Sequence, residues 1–159
     1  MNKRKMLLFL LVPLLIVIDQ LTKYFAEVSL LEGHPVSIID NFFYFTLIYN
    51  TGAAWSSFSN SRWLLVGIST ITAIGFSIYY FKYQKKRSVF GNISIILIVG
   101  GALGNWIDRV FYGRVVDFLD FYIFGYNFPV FNFADICVVC GTIALILFMY
   151  IDEKKVKNG

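Results

Sequence analysis

The chain has 159 residues, 58% of them hydrophobic and only 15% charged, with a mean hydropathy of +0.68 and a formal net charge of +4. A soluble domain carries about 45–50% apolar and about 25% charged residues. A core this small cannot hide such an apolar excess, so lipid must solvate much of the surface, and an ordinary soluble globular domain is excluded. One domain over residues 1–159 is the natural count, with no internal repeat and no low-complexity stretch.

In chain order, the basic start Asn2-Lys3-Arg4-Lys5 leads into an unbroken apolar run from Met6 to Ile18. It looks like a secretory signal, but no small-x-small cleavage site follows. Asp19, Gln20 and Lys23 come next, then more apolar residues to Ala26. A span over 6–26 has the length to cross a bilayer, which takes about 20 residues. Pro13 is tolerable there, because a spanning helix re-satisfies freed backbone groups locally. Residues 27–62 read as extended chain lying on the outer surface. In it Val36-Ser37-Ile38-Ile39 and the aromatic-rich run Phe43 to Tyr49 favour strands. Two uncharged spans follow over 63–81 and 88–107, and a fourth over 134–151 carries Asp135 in its first turn. Between the last two lies a second outer segment, 108–133, with Gly113, Gly125 and Pro129 as breakers.

The basic residues sort by side. Lys3, Arg4 and Lys5 precede the first span; Lys82, Lys85, Lys86 and Arg87 separate the second and third; Lys154, Lys155 and Lys157 follow the fourth. Ten of the 14 Lys and Arg thus share one face. The excess of Lys and Arg in cytoplasmic loops makes that face, and both termini, cytoplasmic. Aromatic residues make up 19% of the chain, and its Tyr and Trp suit the membrane–water boundary.

Charges at membrane depth are costly, and are functional by default. Eight of the ten acids fall on the outer side or at outer helix ends. Two of them stand out, Asp117 in Val115-Val116-Asp117-Phe118 and Asp135 in Phe131-Asn132-Phe133-Ala134-Asp135. Carboxylates close together in a low-dielectric site tend to share one proton, so that one acts as base on a water while the other polarises a carbonyl. The plainer alternative is that Asp135 completes an Asn132-x-x-Asp135 capping box and Asp117 is a surface loop acid. Asp19 and Lys23, four apart, fall on one helix face as an ion pair. Asp108-Arg109 reads as an anchor at a helix end. Gly100 and Gly104 have the small-xxx-small spacing of close helix packing.

Other chemistries lack material. His34, the one histidine, lies in a Gly-Pro turn and reads as an exposed loop residue. No HExxH, Walker or dinucleotide motif occurs. Cys137 and Cys140 read as two small apolar residues on one helix.

Five motifs in order, Asp19-Gln20-Leu21-Thr22-Lys23, Asn50-Thr51-Gly52-Ala53-Ala54-Trp55, Gly100-Gly101-Ala102-Leu103-Gly104-Asn105-Trp106-Ile107-Asp108-Arg109, Val115-Val116-Asp117-Phe118 and Phe131-Asn132-Phe133-Ala134-Asp135, span the chain. In these it resembles the bacterial lipoprotein signal peptidases, also called signal peptidase II. Trp55 stands where that family often has Phe, and Ile136 where a smaller residue is common. The resemblance implies four transmembrane helices, a small extracytoplasmic β cradle and a short outer helix. It implies an aspartic endopeptidase that cuts diacylglyceryl-modified prolipoproteins before the lipidated cysteine, with no metal or cofactor. By the same resemblance Asp117 and Asp135 are catalytic; Asn50, Gly52, Asn105, Arg109, Asn132 and Ala134 line the site; Asp19 and Lys23 support it. Its partners would be prolipoproteins and membrane lipids and not nucleic acid. The enzyme would be a multi-pass monomer in the bacterial cytoplasmic membrane, its active site at the outer face. The rival reading is a small transporter with Asp19 or Asp135 as its ion site. Transporter sites lie near the midplane between repeated halves, whereas these acids cluster at one boundary. A structural membrane subunit would leave the five motifs unexplained.

Overall fold

A computed structural model of the chain describes residues 7–52, 58, 61–83 and 88–157. Lys3, Arg4, Lys5, Lys85, Lys86, Arg87 and the motif residues Ala53, Ala54 and Trp55 lie outside the described residues. Among the described residues there are four long helices: α1 (Leu11–Ser29), α2 (Arg62–Tyr83), α3 (Val89–Phe111) and α4 (Phe133–Lys157). The strands are β1 (Val36–Ile39), β2 (Phe43–Asn50), β3 (Val115–Ile123) and β4 (Tyr126–Asn127). The short outer helix has no counterpart among the described residues.

The helices α2 and α3, and α4 over Phe133–Asp152, are long and apolar enough to cross a membrane. The helix α1 carries Asp19, Lys23 and Glu27 within its 19 residues. Its position departs from the span expected over 6–26. Leu7 and Leu8 are helical, Phe9 and Leu10 turn, and the regular helix starts two residues before Pro13. Pro13 has no N–H for the carbonyl of Phe9, four residues earlier; that carbonyl accepts from Val12 N at 3.0 Å instead, and Leu10 keeps a right-handed helical backbone, so the freed group is re-satisfied locally. The third helix also runs past the expected residue 107 to Phe111, so Asn105, Asp108 and Arg109 all project from its last two turns.

Helix α3 is the axis of the bundle. Buried residues occur along its whole length, and it packs against α1, α2 and α4. Val12 of α1, Tyr80 of α2, and Ile95, Ile96 and Val99 of α3 form its apolar core. Small residues set the helix spacing. A Cβ on Gly100 would come 2.8 Å from Leu15 Cδ1, and one on Gly104 would come 2.5 Å from Asp19 Oδ2, so the expected glycine pair is the seam with α1. A Cβ on Gly101 would overlap the backbone oxygen of Ala134 in α4. By contrast α2 and α4 keep large apolar side chains outward, among them Ile71, Ile74, Ile146 and Met149.

The four strands form one antiparallel sheet in the order β1-β2-β3-β4. The expected strand region of the first outer segment is thus present as β1 and β2. The second outer segment differs from its reading as a breaker-rich connection. Its run Val115–Ile123 is a strand, paired to β2 from Phe43↔Phe121 to Asn50↔Val115. A strand flanked on both faces reads as a near-continuous apolar run, which periodicity alone cannot assign. Asp117 is therefore a buried sheet residue, not a loop acid. The sheet lies at the end of the bundle where α1 and α3 finish and α2 and α4 begin. Phe131 is stitched to β3, accepting from Leu119 N at 2.8 Å and donating to Leu119 O at 3.0 Å, and its ring stacks on Phe121. This bridge fixes the start of α4 against β3.

The seam at Gly101 can be tested by methyl insertion. Gly101→Ala should lower stability in detergent by about 1–3 kcal/mol, the usual cost of overpacking. Gly67→Ala and Gly75→Ala have nothing within 4 Å of the added carbon. They should be neutral or gain up to about 1 kcal/mol of helix propensity. Thermal unfolding of the three purified variants decides it, and equal midpoints would contradict the close α3–α4 contact.

Candidate active site

Asn132 immediately precedes α4, and the expected capping box is present. Its Oδ1 accepts from Asp135 N at 3.0 Å, and Asp135 Oδ2 accepts from Asn132 N at 3.1 Å. The first turn of a helix has N–H groups without intrahelical partners, and these bonds satisfy two donors at once. The same residues also do more than cap. The Nδ2 of Asn132 donates to Asp117 Oδ1 at 2.7 Å, so one asparagine is bonded to both acids. The second oxygen of Asp117 accepts from Asn50 Nδ2 at 2.9 Å, and that of Asp135 from Asn105 Nδ2 at 2.7 Å. Both carboxylates line a single cavity of about 620 Å³.

The amides are oriented by their other ends. Asn50 Oδ1 accepts from Gly52 N at 2.8 Å, which turns its Nδ2 toward Asp117. Asn105 Oδ1 accepts from Lys23 Nζ at 2.9 Å and from Asn132 Nδ2 at 3.1 Å, which turns its Nδ2 toward Asp135. Gly52 O in turn accepts from Arg109 Nη2 at 3.0 Å. Asp117 is only 3% exposed. Burial first, and then the charge of Asp135, push its carboxyl up to about 7, against the pull of the Asn50 and Asn132 hydrogen bonds.

Behind this lies a buried charge cluster. Lys23 pairs with Asp19 at 2.8 Å and with Asp108 at 2.7 Å. Asp19 Oδ1 accepts from Ala134 N at 3.0 Å, so a carboxylate of α1 meets the positive end of α4. Gln20 completes the cluster by donating to Asp108 Oδ1 at 2.8 Å. The expected Asp19–Lys23 pair is thus part of a larger group. Asp108 is a buried partner in it, where the sequence suggested only an anchor.

The structure gathers all ten expected site residues around this end of the bundle. Asn50, Asn105, Arg109, Asp117 and Asp135 line the cavity directly; Gly52, Asn132, Ala134, Asp19 and Lys23 hold those that do. Ile136 also lines it, as does Cys140, while Cys137 is buried against Gly101. His34 stays in its exposed turn, its ring 2.9 Å from Glu32 O. Gln20 and Asp108 were missed as site residues. Helical spacing carried the signal, since Asp108 follows Gly101, Gly104 and Asn105 on one face of α3. No group of three His, Cys, Asp or Glu side chains suited to a metal occurs among the described residues. Away from the acids the cavity is apolar, walled by Leu65 and Ile68 of α2 and by Val138 and Val139 of α4.

A buried and a half-buried carboxylate sharing an asparagine at the wall of a largely apolar cavity suit the chemistry of an aspartic peptidase. The family model for signal peptidase (SPase) II matches residues 11–151. A bacterial membrane enzyme solved by the in meso method at 2.3 Å resolution is 34% identical with a TM-score of 0.82, over 98% of this chain and 92% of its own. A second, solved by the same method at 1.9 Å, is 36% identical with a TM-score of 0.75, over 92% of each chain. The chain belongs to the signal peptidase II family, the aspartic endopeptidases that remove the signal peptide from diacylglyceryl-modified prolipoproteins.

Proposed function

We propose that Asp117 and Asp135 are the catalytic pair of this peptidase. The observation that carries the reading is Asn132, hydrogen-bonded to both acids at the wall of one cavity. The pair holds one proton near neutral pH; we assign it to Asp117, whose carboxyl is pushed up to about 7, and the role of base to Asp135. A water between them loses a proton to Asp135 as it attacks the scissile carbonyl, whose oxygen takes the proton of Asp117. Collapse of the tetrahedral intermediate sends the proton on Asp135 to the leaving amine, and the intermediate's hydroxyl returns one to Asp117. Each Asp117 oxygen accepts one amide hydrogen, which fixes the carboxyl plane and leaves a lone pair on each for the shared proton and the water.

Arg109 and Asn50 hold the substrate, through peptide carbonyls or lipid ester oxygens. Arg109 supports this assignment, because its Nε–H is buried without an acceptor among the described residues while the residue lines the cavity. A buried donor without a partner is costly, and a substrate oxygen would satisfy it. The apolar groove between α2 and α4 suits the lipid-modified stretch of the substrate.

The enzyme is a monomer with four transmembrane helices, α1 included, and with its sheet as an outer cradle at the membrane surface. Both termini are cytoplasmic, and Asp117 and Asp135 face the outer side of the cytoplasmic membrane. The basic clusters support this orientation, and so does the position of β1–β4 at the end of the bundle opposite Tyr83 and Val89, where α2 ends and α3 begins. Outward apolar side chains on α2 and α4 support lipid as their solvent.

Two experiments test these assignments. Asp117→Asn and Asp135→Asn should each cut cleavage of a lipidated precursor at least about 1,000-fold, since each removes a carboxyl from an acid–base pair that acts as a unit. Asp135→Asn keeps the capping bond to Asn132 N but turns a donor toward Asn105, so it should also cost about 1 kcal/mol of stability. Near-normal turnover by either folded variant would end the dyad assignment. For topology, a membrane-impermeant thiol reagent should label a cysteine placed at Glu32 in intact cells and spare one placed at Lys85. Labelling at Lys85 would overturn the orientation.

A further inference from the structure

Arg62 opens α2, and its side chain lies across the end of α3. Its Nε–H donates to the carbonyl of Arg109 at 2.6 Å, and its Nη2 donates to the carbonyl of Val110 at 2.6 Å. The last carbonyls of a helix have no partner within it. Here Asp108 O is taken by Tyr112 N at 2.8 Å and Gly113 N at 3.1 Å, and Arg62 takes the next two. A planar guanidinium can serve both at once, which a point ammonium cannot. Gly113, at φ 74°, makes room, since a Cβ there would sit 3.2 Å from Arg62 Nη1.

The residue held in this way is Arg109. Its backbone oxygen is fixed by Arg62, and its guanidinium is fixed through Gly52 O at 3.0 Å. With a longer bond from Nη1 to Asn105 O at 3.4 Å, these attachments set where its Nε–H, without an acceptor among the described residues, lies in the cavity wall. Gly52 and Arg62 flank one connection between β2 and α2, so both ends of that connection fasten on Arg109. Resting on the assignment of Arg109 to substrate binding, we infer that Arg62 is a positioning residue of the peptidase, locking the outer end of α3 so that Arg109 meets the substrate in register. Arg62 does not line the cavity and acts only through Arg109.

The test is a double-mutant cycle on the full-length enzyme in proteoliposomes, with a lipidated precursor peptide as substrate and rates scaled to folded protein. Small misplacements of a binding group are expensive, so Arg62→Met should lower kcat/KM about tenfold, mostly as a higher KM. Arg62→Lys, able to serve one carbonyl, should lose about threefold. In an Arg109→Lys background, Arg62→Met should change kcat/KM by less than about twofold, because the residue it positions is already altered. A merely structural arginine would lower the melting temperature alike in both backgrounds and leave KM alone. An unchanged KM in Arg62→Met, or a further tenfold loss on top of Arg109→Lys, overturns the inference. If Arg62→Met does not fold, the same cycle run with Arg62→Lys decides, with about threefold expected alone and no added loss in the Arg109→Lys background. An unchanged KM in Arg109→Lys itself would instead count against the substrate-binding assignment beneath it.

Discussion

The unpaired N–H groups at the start of α4 are the constraint around which this end of the molecule is organised. A helix whose first turn is packed against other elements cannot rely on bulk water for those donors. Here acids and an amide supply the acceptors: Asp135 N bonds to Asn132, Asn132 N to Asp135, and Ala134 N to Asp19. Once Asn132 is held as a cap, its Nδ2 points at Asp117. A structural requirement of one helix thus brings two carboxylates to the same asparagine. The capping and catalytic readings of Asp135 are two uses of one geometry.

The buried charges extend that constraint to α1 and α3. Lys23 answers Asp19 and Asp108 and also orients the Asn105 amide. Removing one partner of a buried ion pair typically costs about 3–5 kcal/mol, because the other charge is left stranded. The three helices can approach closely enough for these bonds only because Gly100, Gly101 and Gly104 carry no side chain. Packing and electrostatics are therefore coupled along α3, and the placement of Asp117 and Asp135 depends on both.

Much of this was legible in the sequence where the signal was local. The capping box, the Asp19–Lys23 spacing, the glycine seam and the strand character of Val36 to Tyr49 follow from neighbours a few residues apart. Two features were hidden for a physical reason. The strand Val115–Ile123 is apolar on nearly every residue, so its period is not readable and its pairing with β2 is a long-range fact. The roles of Asp108 and Arg62 depend on partners on other helices, Lys23 and the carbonyls of Arg109 and Val110.

The central claim is that Asp117 and Asp135 sense each other's charge and hold one proton between them. Infrared spectroscopy of the protonated carboxyl stretch, followed across pH, tests it most directly. The wild-type enzyme should show a carboxyl band that disappears with a midpoint near 7 and is missing in Asp117→Asn. In Asp135→Asn the neighbouring charge is gone, so Asp117 should ionise more readily and the midpoint should move to lower pH. A midpoint that stays in place in Asp135→Asn, or a wild-type enzyme with no such band at pH 6, would contradict the shared-proton account.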